Sequence, residues 1–160
     1  MKVYVASPLG FSAPGRLWSE QILHPLLDEA GIELLDPWAD QGDLGTGLAM
    51  PPGDERVRSL FAASRDLAQK NFAMVSAADA VLAVLDGTDV DSGTATEMGY
   101  ACALGTPVVG LRTDFRQAGD HDGVNVNLQV EECIHANGGI LTAEPDEAVA
   151  QLVKLGVKAR

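Results

Sequence analysis

The chain has 160 residues, 46% of them hydrophobic, and its 23 acidic side chains against 11 basic ones give a formal net charge of -12. That length fits one globular domain, residues 1-160, with a substantial core, and leaves no room for a second. So negative an average field repels polyanions, which disfavours nucleic-acid polymers, anionic membranes and, to a lesser degree, phosphorylated substrates, but leaves a small nucleoside admissible.

Lys2 to Ala6 is apolar and β-branched and is broken by Ser7-Pro8-Leu9-Gly10, which predicts a buried first strand ending in a loop. Because this strand begins at once, no cleavable targeting segment is expected before it. From about Pro14 to Ala30, Leu17, Ile22, Leu23, Leu26 and Leu27 follow helical spacing, and Gly31 supplies the stop. Ile32 to Leu35 reads as a short strand, followed by a Gly/Pro-rich passage from Ala39 to Gly53 long enough to be a lid. The next predicted helix runs from near Asp54 to Ala77, with Val57, Leu60, Phe61, Leu67 and Met74 on its apolar face.

Ala80 to Leu85 is apolar at every position, as a strand covered by helices on both faces should be. The remaining expectations are a helix from about Thr94 to Leu104, a strand from Pro107 to Leu111 and a helix around Asn127 to Ala136. A short strand Ile140 to Thr142 and a helix from Pro145 follow. The longest nearly apolar stretch, Val75 to Leu85, is interrupted by Asp79 and falls short of the ~20 residues of a membrane span, so a cytoplasmic protein is expected. Cys102 and Cys133 have no CxxC spacing, and His24, His121 and His135 are scattered. Reduced thiols, no metal site and no cofactor are therefore expected.

Repeated βα units imply a parallel, doubly wound sheet of about five strands with helices on both faces. Such sheets bind ligands beyond the carboxyl ends of their strands, here at Ser7 to Phe11, Asp36 to Trp38, Asp86 to Thr94 and Arg112 to Asp114. Neither a GxGxxG nor a Gly-Lys-Ser/Thr phosphate loop is present.

The stretch from Asp86 to Ala101 puts Asp86, Asp89, Asp91 and Glu97 into one strand-to-helix connection. Gly93 allows close backbone approach to a ligand, and Glu97, about one turn into the helix, would be favoured in its ionised form by the helix dipole. An ionised carboxylate there suits a nucleophile. Thr94-x-x-Glu97 equally fits a capping box, Asp91 and Ser92 fit cap or turn residues, and Asp86-Gly87 fits a plain turn.

The run Asp91-Ser92-Gly93-Thr94-Ala95-Thr96-Glu97-Met98-Gly99-Tyr100-Ala101 resembles the D-x-G-T-x-x-E-x-G-x-A signature of the nucleoside 2-deoxyribosyltransferase family. Asn71-x-x-Met74 with the following Ala78 to Ala83, Asn127-Leu128 and Tyr4 are similar to flanking segments of that family. The resemblance implies a flavodoxin-like fold. It further implies that Glu97 attacks C1′ of a deoxynucleoside to form a covalent glycosyl-enzyme, that Asp91 protonates the leaving base and that Tyr4 holds the nucleophile. Asn127 would reach the sugar 5′-hydroxyl in a neighbouring subunit, making the protein a homo-oligomer with shared sites. Asn71 stands where many members carry a sugar-binding aspartate; an amide can still bond a hydroxyl.

Asp86, Gly93 and Gln129 complete the candidate substrate contacts, with Phe11 and Trp38 as candidate stacking surfaces for a base. Without the family, Tyr4 also fits a core aromatic, Asn71 an exposed helix residue, Asn127 a helix cap, and Phe11 and Trp38 ordinary packing. The function expected is transfer of a 2-deoxyribosyl group between free nucleobases, with hydrolysis if water enters instead. The alternatives are an N-hydrolase of deoxynucleoside 5′-monophosphates and a non-catalytic nucleotide-binding module.

Overall fold

The structure, a computed structural model, describes the backbone of residues 1–158 and the side chains of residues 1–156. Five strands, β1 (Lys2–Ala6), β2 (Glu33–Leu35), β3 (Ala80–Val84), β4 (Val108–Leu111) and β5 (Leu141–Thr142), form one sheet in the order β2-β1-β3-β4-β5 with every pair parallel. This is the flavodoxin-like, doubly wound arrangement, and strand order reverses between β1 and β3.

Strand alternation divides the core. Val3, Val5, Leu82 and Val84 pack with Leu23, Leu27 and Leu152 on one face of the sheet. Tyr4, Ala6, Val81 and Ala83 pack with Val75, Met98 and Ile134 on the other. All five residues of β3 are buried, in agreement with its uninterrupted apolar sequence.

On the first face, α1 (Ala13–Trp18) and α2 (His24–Glu29) are joined by a π-helical stretch, Ser19–Leu23, in which the His24 amide bonds Ser19 O. Pro25 has no amide hydrogen, and the wider winding just before it is the local accommodation. α7 (Pro145–Lys158) completes this layer. α4 (Asp54–Ala77), α5 (Ser92–Ala103) and α6 (Leu128–His135) cover the other face.

Two expectations change. The Gly-rich passage from Ala39 to Gly53 contains a short helix, α3 (Leu44–Ala49), lying on α4. Gly47 permits that approach, since a methyl group there would come within 2.8 Å of Leu60 Cδ2. On α4 itself, Val57 and Phe61 face outward, each 65% exposed, whereas Leu60, Leu67 and Met74 are partly buried. No helix among the described residues is long and apolar enough to cross a membrane.

Candidate active site

Asp91 is the N-cap of α5: its backbone is extended and its Oδ2 accepts the Thr94 amide at 3.0 Å. The helix therefore begins at Ser92, and Thr94 is a buried third residue rather than the cap. This overturns the capping-box reading. Glu97 does not bond the helix start; its Oε1 accepts hydrogen bonds from Tyr4 Oη at 2.7 Å and Asn71 Nδ2 at 3.3 Å. Among the described residues, Oε2 has no hydrogen-bond partner.

Three elements thus converge on one carboxylate. The β1 alternation turns Tyr4 toward α5, where it is fully buried. Burial first, and then the hydrogen bond and charge of Glu97, push the Tyr4 phenol far up, so it is a permanent donor. The expected dipole effect on Glu97 is overridden by burial, which raises its carboxyl above the usual range. The bonds from Tyr4 and Asn71 pull the other way, and the Asp91 carboxylate adds to the rise.

Glu97 and Asp91 share a cleft of about 210 Å³ at the β1/β3 reversal point. Phe11, Pro37, Trp38 and Leu67 give it apolar walls. Trp38 is fixed by its indole Nε1–H to Ser7 O at 3.0 Å, by its amide to Asp36 Oδ1 at 2.8 Å, and by direct packing on Gly10. Phe11, 73% exposed, meets Trp38 edge to face with ring centroids 4.6 Å apart. Asn71, Gly93 and Glu97 also line a second hollow of about 320 Å³, bordered by Phe72, Ser92 and Thr96. Among the described residues, no lysine, arginine or histidine lines either hollow.

The structure therefore brings together Tyr4, Asn71, Asp91, Gly93, Glu97, Phe11 and Trp38. Asp86, Asn127 and Gln129 lie outside the cleft of their own chain. The Asp86 carboxylate is occupied by Thr113 and Asp114, and Asn127 Oδ1 caps α6 by accepting the Gln129 amide at 2.9 Å. Ser7 lies in the strand end expected to meet a ligand, whereas sequence reasoning missed Gln41 and Leu67 as cleft residues. For Gln41 the signal was its place in the long loop after β2. For Leu67 it was one helical turn of separation from Asn71 on α4.

Among the described residues, no group of three or more His, Cys, Asp or Glu could hold a metal ion. Cys102 and Cys133 are free; burial and a hydrogen bond with Cys102 push the Cys133 thiol up to about 11, which keeps it protonated and unreactive.

The fold has counterparts among solved structures. A conserved protein from Enterococcus faecalis V583 is 24% identical with a TM-score of 0.70, over 96% of this chain and 97% of that one. A 2-deoxyribosyltransferase from Bacillus psychrosaccharolyticus is 18% identical with a TM-score of 0.63, over 93% and 90% of the two chains. The corresponding enzyme from Leishmania mexicana is 24% identical with a TM-score of 0.62, over 96% and 97%. At these identities the likeness is one of fold. No protein of curated function matches the chain in sequence. The profile that describes nucleoside 2-deoxyribosyltransferases matches residues 3–137, which include Tyr4, Asn71, Asp91 and Glu97, and the chain belongs to that family.

Proposed function

We propose that the protein transfers a 2-deoxyribosyl group between nucleobases through a covalent intermediate on Glu97. The observation that carries this reading is the asymmetry of the Glu97 carboxylate: Oε1 is held by Tyr4 and Asn71, while Oε2 has no partner among the described residues. A carboxylate oriented through one oxygen presents the other as a nucleophile.

Oε2 attacks C1′ on the face opposite the base. The bond from C1′ to the base nitrogen breaks, its electron pair leaves with the base, and Asp91 Oδ1, which has no protein partner among the described residues, delivers a proton to that base. An incoming base then attacks C1′ and returns a proton to Asp91, and the bond from C1′ to Oε2 breaks. Two displacements give net retention. Trp38 and Phe11 offer stacking surfaces, and Gln41 an amide for the base edge. Water in place of the second base would make the reaction hydrolysis, and the segment from Ala39 to Gly53, from which Gln41 reaches the cleft, is the proposed lid.

Two carboxylates and, among the described residues, no cationic side chain around the reacting centre favour a nucleoside with a free 5′-hydroxyl over a nucleotide. The N-hydrolase reading is supported only by Ser92 and Gly93 at the α5 N-terminus, where backbone amides can bind a phosphate. On the preferred reading the protein is a homo-oligomer, and Asn127 and Gln129, which do not line their own cleft, complete a neighbour's site.

The test is incubation with deoxyinosine with and without adenine, and separately with deoxynucleoside 5′-monophosphates, followed by chromatography and by mass spectrometry of peptic peptides. Deoxyadenosine formation with a deoxyribosyl adduct on the Glu97 peptide is expected. Free hypoxanthine alone, or preferential cleavage of monophosphates, would overturn transfer in favour of hydrolysis. No turnover and no adduct would leave a binding module.

A further inference from the structure

Outside the cleft, the loop after β4 donates a set of hydrogen bonds to the loop after β3. From the end of β4, the Arg112 guanidinium donates to the carbonyl oxygen of Leu85, to that of Gly87 at 3.0 Å and to that of Arg116 at 2.8 Å. From the end of β3, the Asp86 carboxylate accepts the amides of Thr113 at 2.6 Å and Asp114 at 2.8 Å, and the Thr113 hydroxyl at 2.7 Å. Leu85 and Gly87 are the chain neighbours of Asp86, so a single turn is held at three consecutive residues by the segment Arg112 to Asp114.

Arg112 is only 5% exposed, yet among the described residues it forms no ion pair within 4.0 Å. A buried guanidinium ordinarily meets a carboxylate. This one spends its donors on carbonyl groups, and its Nε is left without a partner among the described residues. The planar fork can span carbonyls on two loops at once, which a lysine ammonium cannot match in the same geometry. The arrangement is costly in stability and specific in geometry.

What the grip governs is the path to Asp91. Gly87 holds φ at 132°, in a region open to glycine, and the chain then passes only through Thr88, Asp89 and Val90 before Asp91 caps α5. Glu97 is held independently by Tyr4 and Asn71. Resting on the transfer reading above, we propose that Arg112 is a positioning residue for the acid: with Asp86 it fixes the Asp86–Asp91 loop so that Asp91 Oδ1 meets the departing base.

The experiment compares Arg112→Lys and Asp86→Ala with the wild type on two donors. Deoxyadenosine needs its base protonated to leave, whereas 7-methyl-2′-deoxyguanosine releases a base that already carries the charge. Both folded variants should lose about 10- to 100-fold in kcat for release of the first base, followed in single turnover, from deoxyadenosine, with KM within about twofold, and lose at most about threefold on the methylated donor. Equal losses on both donors, or a raised KM with unchanged kcat, would overturn the proposal; the latter would return Asp86 to direct substrate contact. Amide hydrogen exchange supplies a readout independent of turnover. In Arg112→Lys the amides from Asp86 to Thr94 should exchange faster while β1 and β3 stay as protected as in the wild type. Unchanged exchange overturns the brace, whereas a wild type inactive on both donors overturns the transfer reading and leaves the exchange result standing.

Discussion

Burial and nucleophilicity pull Glu97 in opposite directions. Its carboxyl is raised above the usual range chiefly by burial, so the folded protein holds a proton there more tightly than the unfolded chain does. For an acid with a raised folded pKa, the unfolded state binds fewer protons between the two pKa values, and stability falls as pH climbs through that window. Glu97 therefore costs stability at neutral pH. Glu97→Gln keeps the acceptor for Tyr4 and Asn71 while removing the charge. Thermal unfolding should give it a higher Tm than the wild type at pH 7, a difference that fades below the unfolded pKa of about 4.3. The same variant should lose turnover by roughly 10³-fold or more. A folded Glu97→Gln protein with wild-type turnover would sink the nucleophile assignment, and an unchanged Tm at pH 7 would sink the account of its burial. Tyr4→Phe removes a bond that lowers the Glu97 pKa. The acid limb of its kcat/KM profile should then move to higher pH, with kcat at neutral pH down about 10- to 100-fold. A limb that stayed in place would show that the phenol does not tune the carboxylate.

At the scale of elements, the cleft depends on how the connections after β1 and β2 pack. Gly10 sits in the short 3₁₀ turn after β1, and a methyl group there would lie 1.9 Å from Trp38 Cδ2. Gly10→Ala must move the indole and break its bond to Ser7 O. The expected cost is about 1–3 kcal/mol in chemical denaturation, together with a raised KM for nucleosides because the stacking wall is displaced. Unaltered stability and KM would mean that Trp38 repacks freely and shapes nothing. Such dependence on neighbours explains what could be read from the sequence. β1 and α4 have their expected bounds because continuous apolar and helical patterns mark both ends of each. α3 was hidden because Leu44-Gly45-Thr46-Gly47-Leu48-Ala49 has poor helix propensity and is shaped by packing on α4. The outward Val57 and Phe61 fit helical spacing as well as the inward Leu60 and Leu67 do, so periodicity alone could not separate them. At the site, the signature identified Asp91 and Glu97 through their spacing. Only tertiary structure could show that Asp91 takes the cap, that Glu97 is free to meet Tyr4 across the sheet layer, and that Asp86 is consumed by the neighbouring loop.

For the molecule as a whole, the question is whether one chain makes a complete site. Asn127 and Gln129 do not line their own cleft, and the outer faces of α4 and α5 expose Val57, Phe61, Phe72 and Tyr100, apolar surface available to a neighbouring copy. If Asn127 completes a neighbour's pocket, Glu97→Ala and Asn127→Ala should each be nearly inactive alone. In a mixed dimer, one site would then carry both lesions, while the other would combine intact Glu97 from one chain with intact Asn127 from its partner. Co-refolding the two inactive variants should therefore restore activity, to about a quarter of the wild-type value for random pairing, since half the dimers are hybrids with one good site in two. Native mass spectrometry should confirm the hybrids. The helix-cap alternative gives a different pattern. Loss of the Asn127 Oδ1 bond to the Gln129 amide costs on the order of 1 kcal/mol of stability and leaves the folded variant active. Were Asn127 to serve its own chain's site, every site in a hybrid would retain one lesion and mixing would restore nothing. Confirmed hybrids without activity would thus refute the shared site, and an active Asn127→Ala protein would reduce Asn127 to a cap.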